Sequence, residues 1–264
     1  KIVFLPYKAS WWDSLESIWR AAVQDKERCD TYVVPIPYAD RNPDGTPKEW
    51  ICEAADFPNE VPVLDYRNFD LEGMHPDIIY IHNPYDQCNA ATSVDSRYYS
   101  WNKKKCADKV VYVPYFIVGD RWPELHRYLS CYDHVDKIVV QRENMEIVPR
   151  ALSDMLESQV EHMSDYIPAE KLLPLGTPKL DRIFYCEKHL NLPAEWTDFA
   201  QGRKIIMYNT SISGILTHTI KFLNKMAYVF DSFAERKDVV LLWRPHPLME
   251  SCIQSVNPAL YDKY

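Results

Sequence analysis

Arg244 and His246 stand two residues apart where an apolar run, Val239 to Trp243, breaks off, and a proline follows each of them. In extended backbone such neighbours point the same way, and the prolines restrict the chain on either side of the imidazole. A guanidinium clamps a phosphate through paired N–H bonds, and an imidazolium adds another donor. The pair therefore suits the stabilisation of charge on a departing phosphate. Paired with one of the 38 acidic side chains, the same arginine would be purely structural.

Other apolar runs end in comparable chemistry. Asn209-Thr210-Ser211 closes one run and leads through Ser213-Gly214 towards a helical pattern. Hydroxyls and free N–H groups there make an anion seat or an ordinary helix cap. His82 closes another run and precedes Asn83-Pro84-Tyr85-Asp86. A neutral imidazole could take a proton from a hydroxyl nucleophile, with Asp86 orienting it; a hydrogen-bonded structural histidine is the plainer reading. Tyr7-Lys8, Tyr115 and Gly176-Thr177-Pro178-Lys179 end three more runs.

The elements that must position these tips are strands and helices in alternation. Strands are predicted at 1–7, 31–38, 77–83, 109–116, 137–141, 171–176, 204–211 and 239–247. Ser10 with Asp13 three residues on reads as a helix start, and Leu15, Ile18, Trp19, Ala22 and Val23 recur on one helical face. Further helices are predicted from about Glu143 to Met163, interrupted near Pro149, and over 218–235. Continuous apolar strands alternating with helices imply an α/β fold whose parallel sheets are covered on both faces. In such sheets the carboxyl ends of the strands share one edge, where ligands bind.

The organisation reads as a Rossmann-like domain over 1–185, a linker over 186–203 containing "NLPAEW", and the start of a second Rossmann-like domain over 204–264. Two strands in about 60 residues fall short of a complete doubly wound domain, which needs about 100 or more. The second domain is therefore expected to be incomplete.

Composition narrows the function classes. A net charge of −8 over 264 residues argues against broad electrostatic binding to nucleic acid or anionic lipid. The apolar runs are far shorter than a membrane span. Seven cysteines, odd in number and never in C-x-x-C pairs, fit neither a disulfide framework nor a zinc knuckle. No secretory pattern opens the chain, so a reducing cytoplasm is the expected setting. With only six glycines there is no Walker loop and no G-x-G-x-x-G, so any phosphate is held by other means, and no cofactor is expected. "DRNPDG" (40–45) imitates a calcium loop but has Ile51 at its twelfth position, so it reads as a turn. "NKKKCADK" reads as a solvated helix end.

Three stretches, "GTPKLDRI" (176–183), "KIIMYNTS" (204–211) and "LLWRPHPLM" (241–249), resemble in order and spacing motifs of the CDP-glycerol glycerophosphotransferase family, which includes teichoic-acid primases and polymerases of Gram-positive bacteria. The likeness runs from about residue 109 onward. "KIVFLPYKASWWDSLESIWRAA" and "IHNPYD" extend it to the amino-terminal half of a bacterial subgroup. The resemblance implies a GT-B fold, two Rossmann-like domains with the active site between them and no essential metal. It implies transfer of glycerophosphate, or a related polyol phosphate, from a CDP-linked donor to a lipid-linked or saccharide hydroxyl acceptor, with CMP leaving. Peripheral association with the inner face of a membrane goes with such an acceptor.

By that resemblance Arg244 and His246 sit at the donor phosphates, and Gly176, Pro178, Lys179 and Asp181 match a second donor element. Asn209, Thr210 and Ser211 are expected to assist there. Lys8, Asn83, Asp86 and Tyr115 fall on the acceptor side. The family's Trp-His-Gly element, whose histidine is its proposed base, is replaced by Pro114-Tyr115-Phe116. A tyrosine of ordinary pKa near 10 is a poor base at neutral pH, so either His82 substitutes, or the chemistry differs, or catalysis is absent; the leading expectation takes His82 as the base. A nucleotide-sugar GT-B transferase and a non-catalytic binding module of a polysaccharide locus are the competing readings.

Overall fold

The apolar runs become strands, and those at 2–5, 109–112 and 137–140 in the first unit send buried side chains to both faces. In the computed structural model the described residues are 1–42, 45–89, 92–117, 129–141, 167–189, 194–211, 213–246, 249–250, 253 and 257–263. The chain divides into two units, Lys1–His189 and Leu190–Tyr264, each considered by itself. The helical pattern expected over 143–163 lies outside the described residues.

The first unit is built on six parallel strands: β1 (Ile2–Leu5), β2 (Thr31–Val33), β5 (Ile78–Ile81), β7 (Lys109–Tyr112), β8 (Lys137–Val140) and β9 (Leu172–Pro174), in the order β2-β1-β5-β7-β8-β9. All six fall within predicted runs. Alternate residues feed two cores. Val3, Leu5, Ile79, Ile81, Val110, Tyr112, Ile138 and Val140 enter one. Phe4, Val111, Val113 and Val139 enter the other, with Trp12, Leu15 and Trp19. A fully buried aliphatic or aromatic side chain contributes roughly 1.5–3 kcal/mol, so double-sided burial locks the register of these short strands.

Three strands were not predicted. β3 (Tyr38–Arg41), β4 (Pro47–Ile51) and β6 (Thr92–Val94) form an antiparallel sheet in the order β4-β3-β6. Every residue of β4 is exposed, so it carries no apolar alternation to read. The 40–45 stretch does lie in the β3–β4 connection, where Gly45 takes φ 83° and donates to the Asn42 carbonyl at 2.9 Å.

Helices α1 (Glu16–Gln24), α2 (Leu71–Met74), α3 (Ser100–Cys106), α4 (Cys131–His134) and α5 (Asp181–His189) complete this unit. The helix start expected at Ser10 is a 3-10 turn, Ala9–Ser14, with no side-chain cap. Trp12 is 1% exposed, and seating its indole in the core sets this segment rather than capping chemistry. The basic run is the body of α3 rather than only a solvated end. Lys104 reaches Asp136 at 2.9 Å, whereas Lys103 turns inward and is 1% exposed.

In the second unit, β10 (Lys204–Asn209) and β11 (Val239–Arg244) pair in parallel, with Asn209 opposite Arg244. Helix α6 (Ala194–Ala200) lies within the stretch read as a linker, and α7 (Ser213–Ala234) joins the two strands. Helix α7 kinks at His218, and its Ile215, Leu223 and Met226 pack with Met249 and Ile253. Among the described residues no helix is long and apolar enough to cross a membrane.

Candidate functional site

The chain leaves β1 for β2 on one side and later adds β5 on the other, so the connections part above β1 and β5. Open parallel sheets bind ligands at such a switch point, outside the carboxyl ends of the strands. Tyr7-Lys8 follow β1, His82-Asn83 follow β5, and Tyr115 follows β7. The predicted tips of the first unit therefore do share one edge.

His82 does not serve there as the expected base. It is fully buried, and its Nε2 accepts the Tyr7 backbone N–H at 3.1 Å. The ring proton accordingly sits on Nδ1, which lies 3.3 Å from the Trp11 carbonyl and 3.2 Å from Ser14 Oγ. Burial, reinforced by the Lys103 and Lys179 charges and opposed by the Trp11 contact, lowers its pKa to about 3. A neutral ring with both nitrogens engaged ties β1, β5 and the 3-10 turn together; it has no solvent access through which to take a substrate proton.

Asp86 does not orient that ring either. Its carboxylate, 2% exposed, accepts the Ser100 N–H at 2.7 Å, Ser100 Oγ at 2.5 Å and Ser130 Oγ at 2.8 Å. Asn83 is also buried, and its Oδ1 accepts the Tyr85 N–H at 3.3 Å, folding the loop back on itself. Both residues shape the loop after β5 through internal hydrogen bonds.

At the edge the expected Lys8 and Tyr115 are joined by side chains that sequence reasoning passed over, Trp11, Tyr38 and Glu53. The Trp11 and Tyr115 rings stack with centroids 3.6 Å apart and planes 3° apart. The Tyr85 and Tyr115 hydroxyls meet at 2.6 Å. Burial raises the Tyr115 pKa, which keeps this phenol protonated at neutral pH. The Lys8 ammonium stands 4.5 Å from the Tyr38 ring centroid and 5.8 Å from that of Trp11, within cation–π range. Glu53 accepts the Ala9 N–H at 2.7 Å and the Tyr38 hydroxyl. The one available signal was the aromatic density of "PYKASWW" beside a strand end.

The 176–181 stretch follows β9, the last strand of the same parallel sheet. Gly176 takes φ 87°, a left-handed conformation that favours glycine, and its N–H bonds the Val140 carbonyl at 3.1 Å. Pro178 opens a 3-10 turn and Asp181 begins α5, where a carboxylate suits the positive helix end. Lys179 is committed to Asp13, with Nζ 2.7 and 2.6 Å from the two carboxylate oxygens. A cavity of about 250 Å³ lies there, lined by Asp13, Glu16, Arg20, Pro178, Asp181 and Tyr185 among others.

In the second unit, Asn209 ends β10 opposite Arg244 at the end of β11, and Thr210 and Ser211 follow it. Thr210 is buried and internally engaged, accepting the Trp243 indole N–H at 3.0 Å, so it braces the strand ends instead of facing an anion. Asn209 and Ser211 are exposed, and Ser211 Oγ bonds Ser213 Oγ at 3.3 Å. Arg244 is exposed and its guanidinium has no side-chain partner among the described residues; His246 is half-buried next to it. No group of three or more His, Cys, Asp or Glu among the described residues is placed to hold a metal ion.

No protein-family model matches the chain, and no curated protein matches it. Solved structures do. The S. aureus MnaA–UDP structure is 13% identical over 97% of this chain, with a TM-score of 0.50. The UDP-GlcNAc 2-epimerase from Neisseria meningitidis bound to UDP-GlcNAc is 9% identical over 98% of the chain, with a TM-score of 0.51. The wall teichoic acid polymerase TagF is 12% identical over 100% of this chain and 59% of its own, at a TM-score of 0.43, too distant to bear on the fold. The chain spans about 65% of the MnaA structure's length and 70% of the Neisseria enzyme's. These likenesses show the fold: it is α/β and GT-B-like, with Rossmann-type parallel sheets.

Proposed function

We propose that this chain is part of a transferase that uses a nucleotide-linked donor, and that the donor is a CDP-activated glycerol or similar polyol phosphate. The observation that carries this reading is Arg244: an exposed guanidinium at the carboxyl end of β11, in register with Asn209 and without a side-chain partner among the described residues. Leaving such a cation free at a strand end suits an anionic ligand. The motif resemblance of 176–183, 204–211 and 241–249 supplies the cytidine part of the proposal.

In this reading Arg244 and His246 neutralise charge growing on the departing CMP as an acceptor hydroxyl attacks the β-phosphorus. Asn209 and Ser211 contribute polar contacts at the same strand ends. Pro178 and Asp181 shape the second element, while Lys179 reaches donor only by leaving Asp13. With His82 sealed, this reading assigns receipt of the acceptor proton to the Glu53 carboxylate, which accepts the Ala9 N–H in the turn after β1. The acceptor is a lipid-linked or saccharide hydroxyl, met at the cytoplasmic face of a membrane through peripheral association.

The uridine nucleotides named for the MnaA and Neisseria structures favour a second reading, a nucleotide-sugar donor. A donor screen on the full-length protein separates the two by following release of CMP or UDP from CDP-glycerol, CDP-ribitol and UDP-GlcNAc. CMP release that falls at least tenfold in Arg244→Ala supports the proposal. Release of UDP alone moves the assignment to the second reading, and no release from any donor in the wild type overturns both.

A further inference from the structure

A cavity of about 350 Å³ lies beside α2 and α3, the helices that lead into β5 and β7. Tyr66, Phe69 and Tyr98 form its aromatic walls, and none of its lining residues belongs to the strand-end site described above. Two matching loops hold the tyrosines. In Asp65-Tyr66-Arg67 the Arg67 N–H donates to Asp65 at 2.9 Å and its guanidinium to the same carboxylate at 2.8 Å. In Asp95-Ser96-Arg97 the Arg97 N–H donates to Asp95 at 2.9 Å and its guanidinium at 3.1 and 3.2 Å. Each fixed guanidinium lies on a tyrosine, Arg67 at 6.0 Å from the Tyr66 ring centroid and Arg97 at 5.6 Å from that of Tyr98. The walls are therefore held in place by the fold.

The three rings border one cavity, yet among the described residues no ring contact joins any two of them; Phe69 leans instead on Tyr32, centroids 6.1 Å apart. Aromatic rings in contact have centroids about 4.5–7 Å apart. Rings set wider than that leave room between them for another flat ring. Tyr98 is 7% exposed, and its hydroxyl makes no hydrogen bond with a described residue. A buried phenol normally finds a partner, so this wall carries an unspent polar group. A cavity of about 150 Å³ is enough for benzene, and one of about 350 Å³ has space for two fused rings. Arg97 and Lys105 at the rim are matched by Asp70 and Glu72, a balance of charge that favours an uncharged occupant.

We infer that this cavity is a binding site for an uncharged, flat, fused-ring heteroaromatic ligand of purine or indole size. Its ring lies among Tyr66, Phe69 and Tyr98, and its polar edge meets the Tyr98 hydroxyl. The inference concerns the first unit alone and does not depend on which donor the protein uses.

The test is calorimetric titration of the full chain with adenine and with indole, and with cyclohexanol as a ring that is not flat. At least one of the two flat probes should bind, and cyclohexanol should bind at least about tenfold more weakly. Tyr98→Phe keeps the ring and removes the hydroxyl, and should weaken the bound probe about fivefold, the worth of one hydrogen bond. Phe69→Leu removes a stacking wall and should weaken it by at least about fivefold. If Phe69→Leu fails to fold, Tyr66→Leu, at a half-buried wall, decides in its place. Excess CDP should leave the titrations unchanged, because the cavity is separate from any donor site. No heat with either flat probe, cyclohexanol bound as tightly as they are, equal affinity in wild type and both variants, or displacement by CDP overturns the site.

Discussion

Replacing His82 with glutamine removes an imidazole that the fold keeps neutral at the switch point. The glutamine amide would retain an acceptor for the Tyr7 N–H, so the variant changes titration more than packing. The folded-state pKa is about 3, against 6.5 for the free side chain, with burial the leading cause. Between those values the unfolded chain binds a proton that the folded chain refuses. The contribution is fully present above pH 6.5 and is lost as pH falls towards 3. Each pH unit below 6.5 costs about 1.4 kcal/mol. At about pH 5 this histidine alone should cost the wild type about 2 kcal/mol relative to about pH 7. Urea unfolding of wild type and His82→Gln at those two pH values isolates the effect, since the carboxylates are common to both. The wild type should lose about 2 kcal/mol more than the variant on acidification. Equal losses would refute the sealed, neutral histidine, and with it the withdrawal of His82 as a base.

Two further predictions address the second element. Gly176→Ala places no atom within 4 Å of the new Cβ, so its cost is the left-handed backbone alone, about 1–2 kcal/mol by denaturant unfolding; a far larger loss would mean that packing was misjudged. Lys179→Met strands Asp13, whose side chain is 18% exposed, and should cost about 1–2 kcal/mol that adding Asp13→Asn largely restores; a double variant no more stable than the single would show that the two residues act separately.

The parallel sheet was legible because strands buried on both faces read as unbroken apolar runs, and "KIVFLPY", "DIIYIHN" and "KVVYVPYF" are such runs. The antiparallel β3-β4-β6 sheet was not, since "PKEWI" lies wholly exposed and has no pattern to betray it. Strand ends could be located from the sequence, and with them Lys8, His82, Tyr115, Asn209 and Arg244. What each end faces could not, because burial is a tertiary property. His82 and Asp86 looked like catalytic partners from their spacing of four, yet each turns to a different part of the structure. Lys103 sat unnoticed in a basic run whose neighbour, Lys104, does point outward. Trp11 and Tyr38 were not singled out in the sequence, and their joint place around Lys8 appears once the 3-10 turn and β3 are placed.

The central claim is that the Arg244 guanidinium at the end of β11, without a side-chain partner among the described residues, receives a nucleotide phosphate. Calorimetric titration of the full-length protein with CDP tests it most directly, with Arg244→Ala as the comparison and UMP and cytidine as controls. The account predicts CDP binding that weakens at least tenfold in the variant, with little affinity for cytidine, which carries no phosphate. CDP binding of equal strength in wild type and Arg244→Ala, or no heat with CDP in either, would contradict it.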